Sequence, residues 1–137
     1  MKGKKYYYRD SENKSMYHTV TLTTNQKAIF ISKGGDGISF SGLRKAMKML
    51  SPTGLTLFNY LILRPANALW GLSRADVMEN TSLTITTYPN AVRELIERGY
   101  LQETTITVGN EIISHGYIFF DDIDNAIKYQ EKAINLN

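Results

Sequence analysis

One segment of the sequence leaves little freedom in how the chain folds, because a helix that stops at a glycine is followed at once by two β-rich runs. Residues 84–98 carry apolar side chains at helical spacing, and Gly99 suits the left-handed position that ends many helices. Residues 100–108 and 111–120 are dense in β-branched and aromatic residues, and Gly109-Asn110 between them is a two-residue hairpin signal. The segment predicts a helix followed by a β-hairpin.

A shorter helix is predicted just before this one. Ser73 stands where an N-cap is expected, and residues 74–80 follow it with apolar side chains on one side. Pro89 would clash with the preceding turn if it lay inside a helix, so it belongs to the first turn. The second helix is therefore expected to start nearer Thr86 or Thr87 than Thr84.

This order of helix, short turn, helix with a glycine stop and hairpin resembles the winged helix-turn-helix family of bacterial DNA-binding proteins. The stretch Glu94-Leu-Ile-Glu-Arg-Gly-Tyr-Leu101 carries most of the resemblance, which extends over about residues 51–120. The resemblance implies an α+β fold in which the second helix of the pair enters the major groove of DNA and the hairpin forms the wing.

The polar face of the second helix supplies candidate DNA contacts. Arg93 can reach guanine or a phosphate and Asn90 can pair with adenine, although exposed side chains of these types are as often only solvated. The predicted wing has no Lys or Arg between Leu101 and Phe120, so phosphate contacts are expected from the basic N-terminal third and from Arg74. The candidate DNA-binding residues are Arg44, Lys45, Lys48, Arg74, Thr84, Thr86, Thr87, Asn90 and Arg93.

The rest of the chain completes one domain around this pair. Ser41 can cap a helix to about Met49, and Ser51-Pro52 opens another that runs through Leu63. Charge is uneven, since residues 1–48 hold ten Lys or Arg against three acids and residues 102–137 hold two against six. Residues 1–15 are predicted to form a flexible basic arm or an edge strand. Residues 16–137 are predicted to form a single winged helix-turn-helix domain, with an extra N-terminal hairpin at 16–32, the helix pair at 73–98, the wing at 100–120 and a C-terminal helix at 122–136.

The composition argues against several classes of protein. Without cysteine the chain has no disulfide framework, thiolate zinc site or cysteine nucleophile. His18 and His115 lie in separate predicted strands without suitably spaced carboxylates, and Gly34-Gly35-Asp36-Gly37 is not followed by the Gly-Lys-Ser/Thr of a phosphate loop. We therefore expect no cofactor, no metal ion and no enzymatic activity.

The predicted location is the cytoplasm. The basic residues 2–9 have the charge of a signal-peptide start, but no apolar stretch of about 7–15 residues follows them. The most apolar run, residues 55–63, is too short to cross a bilayer and is typical of a core helix. We expect no membrane partner.

Together these features predict a non-catalytic protein that binds double-stranded DNA in a sequence-specific way. The layout resembles small plasmid and phage replication or accessory proteins, which implies a role in replication, partition, transfer or transcription control, with other replication or transfer proteins as partners. The apolar stripe of the C-terminal helix either docks on the chain's own core or pairs with a second subunit, and we favour a homodimer. The alternatives are a plain transcriptional repressor and a winged-helix subunit that binds proteins without binding DNA.

Overall fold

A computed structural model describes residues 4–9, 17–22, 26–35, 37–66, 69–108, 111–128 and 133–135. Helices and strands are mixed in these residues, as the predicted α+β class requires. The strands are β1 (Lys4–Arg9), β2 (Tyr17–Leu22), β3 (Gln26–Ser32), β4 (Leu69–Ser73), β5 (Leu101–Val108), β6 (Glu111–Phe120) and β7 (Ala133–Asn135). The helices are α1 (Phe40–Met49), α2 (Pro52–Ile62), α3 (Arg74–Asn80), α4 (Thr87–Glu97) and α5 (Ile123–Lys128). No helix in this part of the chain has the length and apolar character needed to cross a bilayer.

The main sheet has five strands in the order β4-β3-β6-β5-β7. β3 runs parallel to β6 and antiparallel to β4, so it is a central strand. Its Ala28, Ile29 and Ile31 are fully buried, which fits a strand flanked on both edges. β5 and β6 form the antiparallel hairpin that the sequence predicted.

The N-terminal pairing differs from the prediction. Residues 16–32 were expected to form one hairpin, but β2 pairs with β1 in a separate two-stranded sheet, whereas β3 joins the main sheet. The apolar run Ala28–Ile31 fits this place, because a run with little alternation suits a strand that is covered on both faces, and Ala28, Ile29 and Ile31 are fully buried between β4 and β6. Of the two forms expected for residues 1–15, a flexible arm or an edge strand, Lys4–Arg9 adopts the strand, where aromatic residues of high β-propensity form β1.

The C-terminal segment is not one helix. α5 ends at Lys128, and β7 then pairs in parallel with β5, from Thr105↔Ala133 to Thr107↔Asn135. Pairing with β5 satisfies backbone groups along an edge that would otherwise be open. On α5 the buried Ala126 packs with Ile118 and Phe120 of β6, so this part of the predicted apolar stripe contacts the chain's own sheet.

The core lies where α2 and α4 pack together and against the sheet. Phe58 and Leu61 of α2 are fully buried, as their spacing predicted. The Phe58 ring meets Tyr100 and Phe119 edge-on, with centroids 5.3 and 5.4 Å apart, an arrangement that stabilises aromatic clusters. These contacts join α2 to the end of α4 and to β6.

Both ends of α2 are secured by side chains. Ser51 caps its start with Pro52 at the first position, as predicted, while the buried Lys33 donates to the carbonyl of Ile62 at its end, at 2.8 Å. The Arg64 guanidinium lies 4.7 Å from the ring centroid of Trp70 and 4.7 Å from that of Tyr60 in α2, within cation–π range of both rings. Trp70 also packs against this helix directly, since its ring centroid lies 5.9 Å from that of Tyr60. The preceding helix, α1, is capped by Ser39 and not by the expected Ser41.

The helix pair follows the prediction closely. Ser73 caps α3 through a 3.3 Å hydrogen bond from the backbone N–H of Asp76. α4 begins at Thr87 with Pro89 as its third residue, which confirms that the proline belongs to the first turn. Gly99 has a φ of 89°, the left-handed conformation expected of the glycine that ends the helix.

Candidate nucleic-acid interface

α4 presents one polar face to solvent. Ala91 and Leu95 are fully buried against the core, whereas Thr86, Asn90 and Arg93 are exposed on the opposite side. These three positions recur at helical spacing, so they share one face. The structure thus exposes three of the predicted contact residues together.

The other two threonines hold the start of α4 in place. The backbone N–H of Thr84 donates to Oγ1 of Thr87 at 2.7 Å, and the N–H of Thr87 donates to Oγ1 of Thr84 at 3.2 Å. This reciprocal arrangement satisfies N–H groups that a helix start otherwise leaves unpaired. Thr84 and Thr87 therefore fix the conformation of the turn that carries Thr86.

Asn90 and Arg93 interact along the exposed face. Nη1 of Arg93 donates to Oδ1 of Asn90 at 3.3 Å, one helical turn away. The contact orients the guanidinium along α4 while both side chains stay exposed to solvent. Together they offer the donors and acceptors that base edges and phosphates recognise.

A groove of about 700 Å³ runs beside this helix. Its walls are α4, the start of α3 and the sheet, and three cations line it: Lys27 from β3, Arg74 from α3 and Arg93 from α4. Within the described residues none of these three forms an ion pair with a carboxylate. Glu97 also lines the groove, so two positive charges remain in excess.

Two tyrosines complete the groove. Burial raises the pKa of the Tyr88 hydroxyl to about 12, with a further rise from nearby Tyr117 and a partial offset by Arg74. Tyr88 is therefore neutral near pH 7 and keeps its proton as a donor. The ammonium of Lys27 lies 5.3 Å from the centre of the Tyr117 ring, within cation–π range.

Sequence reasoning missed Lys27, Tyr88 and Tyr117 as site residues. Tyr88 is half-buried: it packs against the core and also lines the groove. Strand pairing places Lys27 at the groove, since β3 positions it opposite Leu72 of β4 and next to β6. No local sequence signal links it to Arg74 or Arg93.

The cations of α1 lie elsewhere. α1 packs against α2 and the end of β6, and none of Arg44, Lys45 and Lys48 lines the groove. Nζ of Lys45 lies 3.3 Å from Oδ1 of Asp122 and 2.5 Å from Oδ2 of Asp124. Hydrogen bonding to Asp124, helped by Asp122, raises the pKa of Lys45 despite some loss of hydration. Arg44 and Lys48 are exposed, whereas the charge of Lys45 is already balanced.

The β5–β6 hairpin brings no cation of its own. Glu111 and Ile112 are exposed in its second strand, and Gly109-Asn110 at the tip lies outside the described residues.

In the part of the chain that the structure describes, His, Asp and Glu side chains nowhere gather in a group of three that could hold a metal ion. Comparison with protein-family models, curated proteins and solved structures finds no match to this chain.

Proposed function

We propose that this chain binds double-stranded DNA without catalysis, as a winged helix-turn-helix protein with α4 as its recognition helix. The observation that carries the proposal is the division of α4, with Ala91 and Leu95 fixed in the core and the polar Thr86, Asn90 and Arg93 exposed together. A helix held rigidly from behind presents its polar side chains in a fixed geometry, which base readout requires.

Arg74 and Arg93 supply positive charge on either side of the groove. The segment 74–98 carries three arginines and four acids, so its net charge is −1. Two of those acids are engaged within the fold: the Tyr60 hydroxyl donates to Asp76, and Ser51 donates to Glu94 through its N–H and its hydroxyl. These donors are neutral, so Asp76 and Glu94 keep their negative charge, and the excess positive charge is confined to the groove, where Lys27 joins Arg74 and Arg93.

The phosphate contribution is expected to be small. With Lys27 and Arg74 as the phosphate contacts and Arg93 on a base, log K should fall with log salt at a slope of about −2. Specificity then depends on Asn90 and Arg93, since one well-formed bidentate pair discriminates against the wrong base by about 1–3 kcal/mol. The process served is proposed to be replication, partition, transfer or transcription control of a plasmid or phage, on the resemblance of the layout alone.

The test is selection of binding sites from random duplex DNA, followed by affinity measurements on the selected site. Arg93→Ala and Asn90→Ala should each weaken binding and relax the preference at one base pair. Arg98→Ala is the matched control, since Arg98 is an exposed arginine at the C-cap of the same helix and does not line the groove. Negligible binding even at low salt, or equal losses in the Arg93 and Arg98 variants, would refute the proposal. A palindromic selected site would support the homodimer.

A second candidate is a protein-interaction subunit without DNA binding. On α1, Phe40 is 79% exposed and Met47 is 61% exposed, beside the exposed Arg44 and Lys48. Large apolar side chains that share an exposed face often mark a protein-binding surface. This alternative predicts negligible DNA binding and a loss of partner binding in Phe40→Ser.

A further inference from the structure

The groove beside α4 combines an apolar floor with a cationic rim. Leu72, Val92 and Ile96 supply aliphatic surface, and the volume of about 700 Å³ falls within the range of small-molecule sites. Lys27, Arg74 and Arg93 stand around this floor and form no ion pair with a described carboxylate. Apolar surface and unpaired cations at one place match an amphipathic anion.

We propose that this groove binds a small organic carboxylate with an apolar body. The apolar body would lie on the floor, while the carboxylate would accept hydrogen bonds from Arg74, Arg93 and Lys27. Tyr88 adds a neutral hydroxyl donor to the same groove. The single acid, Glu97, selects against a second negative charge at its end of the groove.

A bare phosphate group fits this groove less well than a carboxylate with an apolar body. Inorganic phosphate could pair with the cations, but it would leave the half-buried Val92 and Ile96 of the floor exposed to water. Covering that floor contributes about 25 cal/mol for each Å² of apolar surface removed from water. The apolar body is therefore part of the recognition.

The carboxylate and DNA would compete, an inference that rests on the proposed function. Arg74 and Arg93 line the groove and are also the proposed DNA contacts. A ligand that occupies both guanidinium groups withholds them from phosphates and bases. By linkage, the factor by which the ligand weakens DNA binding equals the factor by which DNA weakens ligand binding.

The test uses 2-naphthoate as the probe, with calorimetry on the full chain. Two matched compounds separate the contributions, since 2-naphthol keeps the apolar body without the charge and acetate keeps the charge without the body. Saturable binding of 2-naphthoate, with both controls at least about tenfold weaker, supports the proposal. Equal binding of 2-naphthol, or no saturable binding of 2-naphthoate, overturns it.

Variants locate the site. Lys27→Met and Arg74→Gln should each weaken 2-naphthoate binding by at least about tenfold, since tenfold corresponds to about 1.4 kcal/mol, slightly less than one hydrogen bond to a charged group contributes. Arg98→Gln should leave it unchanged. Lys27, Arg74 and Arg98 are all exposed, so these substitutions leave the core intact, and urea unfolding of each variant checks this. Equal losses in Arg74→Gln and Arg98→Gln would overturn the assignment to the groove.

Competition separates this inference from the proposed function. Binding of 2-naphthoate without any DNA binding supports the groove and refutes only the DNA-binding proposal. DNA binding without 2-naphthoate binding supports the DNA-binding proposal and refutes the carboxylate site. Binding of both without mutual interference overturns the inference that they share Arg74 and Arg93.

Discussion

Gly116→Ala is the substitution that most directly tests how the sheet is assembled. A Cβ atom on Gly116 would lie 1.9 Å from the carbonyl oxygen of Ala28 and 2.8 Å from its carbonyl carbon. Both atoms belong to the backbone of β3, which is itself hydrogen-bonded to β4 and β6. No side-chain rotation can relieve the clash, so the strands themselves must move.

The size of the effect follows from that geometry. The Ala28 oxygen would have to retreat by about 1.5 Å to restore ordinary contact at 3.4 Å, and overpacking of a buried site typically costs about 1–3 kcal/mol. Because backbone on a central strand has to shift, we expect the upper end, about 3 kcal/mol. For a chain of this size that lowers Tm by about 10 °C.

Urea unfolding measures this loss, followed by far-ultraviolet circular dichroism and by the fluorescence of Trp70, the single tryptophan. Gly35→Ala is the matched control, since a Cβ there meets nothing within 4 Å. If Gly116→Ala unfolds within about 0.5 kcal/mol of Gly35→Ala, the β3–β6 pairing is wrong, since an ordinary surface substitution costs no more than that. The N-terminal hairpin predicted from sequence would in that case regain support.

Three other substitutions test separate contacts. Gly99→Ala places a side chain at a φ of 89°, so urea unfolding should show a loss of about 1–2 kcal/mol, and no loss would contradict the left-handed assignment. Tyr60→Phe removes the hydrogen bond to Asp76 between α2 and α3 and should cost about 1 kcal/mol in the same assay. Burial raises the pKa of Asp121 although Lys33 opposes the rise. The folded chain therefore keeps this proton to a higher pH than the unfolded chain, and wild-type stability relative to Asp121→Asn should fall as pH rises from the ordinary aspartate range through the raised pKa. A stability difference between wild type and Asp121→Asn that does not change with pH would refute the raised pKa of Asp121.

Local signals predicted the helix pair and the hairpin. A serine cap, a proline in the first turn and a left-handed glycine each act within a few residues, so Ser73, Pro89 and Gly99 could be read from the sequence with their structural consequences. The same holds for the exposed face of α4, because burial of Ala91 and Leu95 follows from helical period alone.

Strand partners could not be predicted in this way. Whether β2 joins β1 or β3 depends on which apolar surfaces meet after collapse, and both of these strands are close to β2 in sequence. The partners that β3 adopts, β4 and β6, are much farther along the chain. The run Ala28–Ile31, with little alternation, indicates a central strand, but it does not identify the neighbours. The groove could not be predicted for the same reason, since Lys27 lies in one groove with Arg74 and Arg93 only because of this strand pairing.

The charge pattern along the chain also changes meaning once the chain is folded. The basic N-terminal third and the acidic C-terminal third suggest two oppositely charged ends, but the fold brings parts of them together. Lys45 pairs with Asp122 and Asp124, and Lys33 lies close enough to the buried Asp121 to stabilise its charge. Positive charge that is cancelled inside the fold cannot serve a polyanion. The cations that remain beside α4 come from three separate segments, so the proposed affinity of this surface for anions depends on tertiary pairing and not on any basic run of sequence.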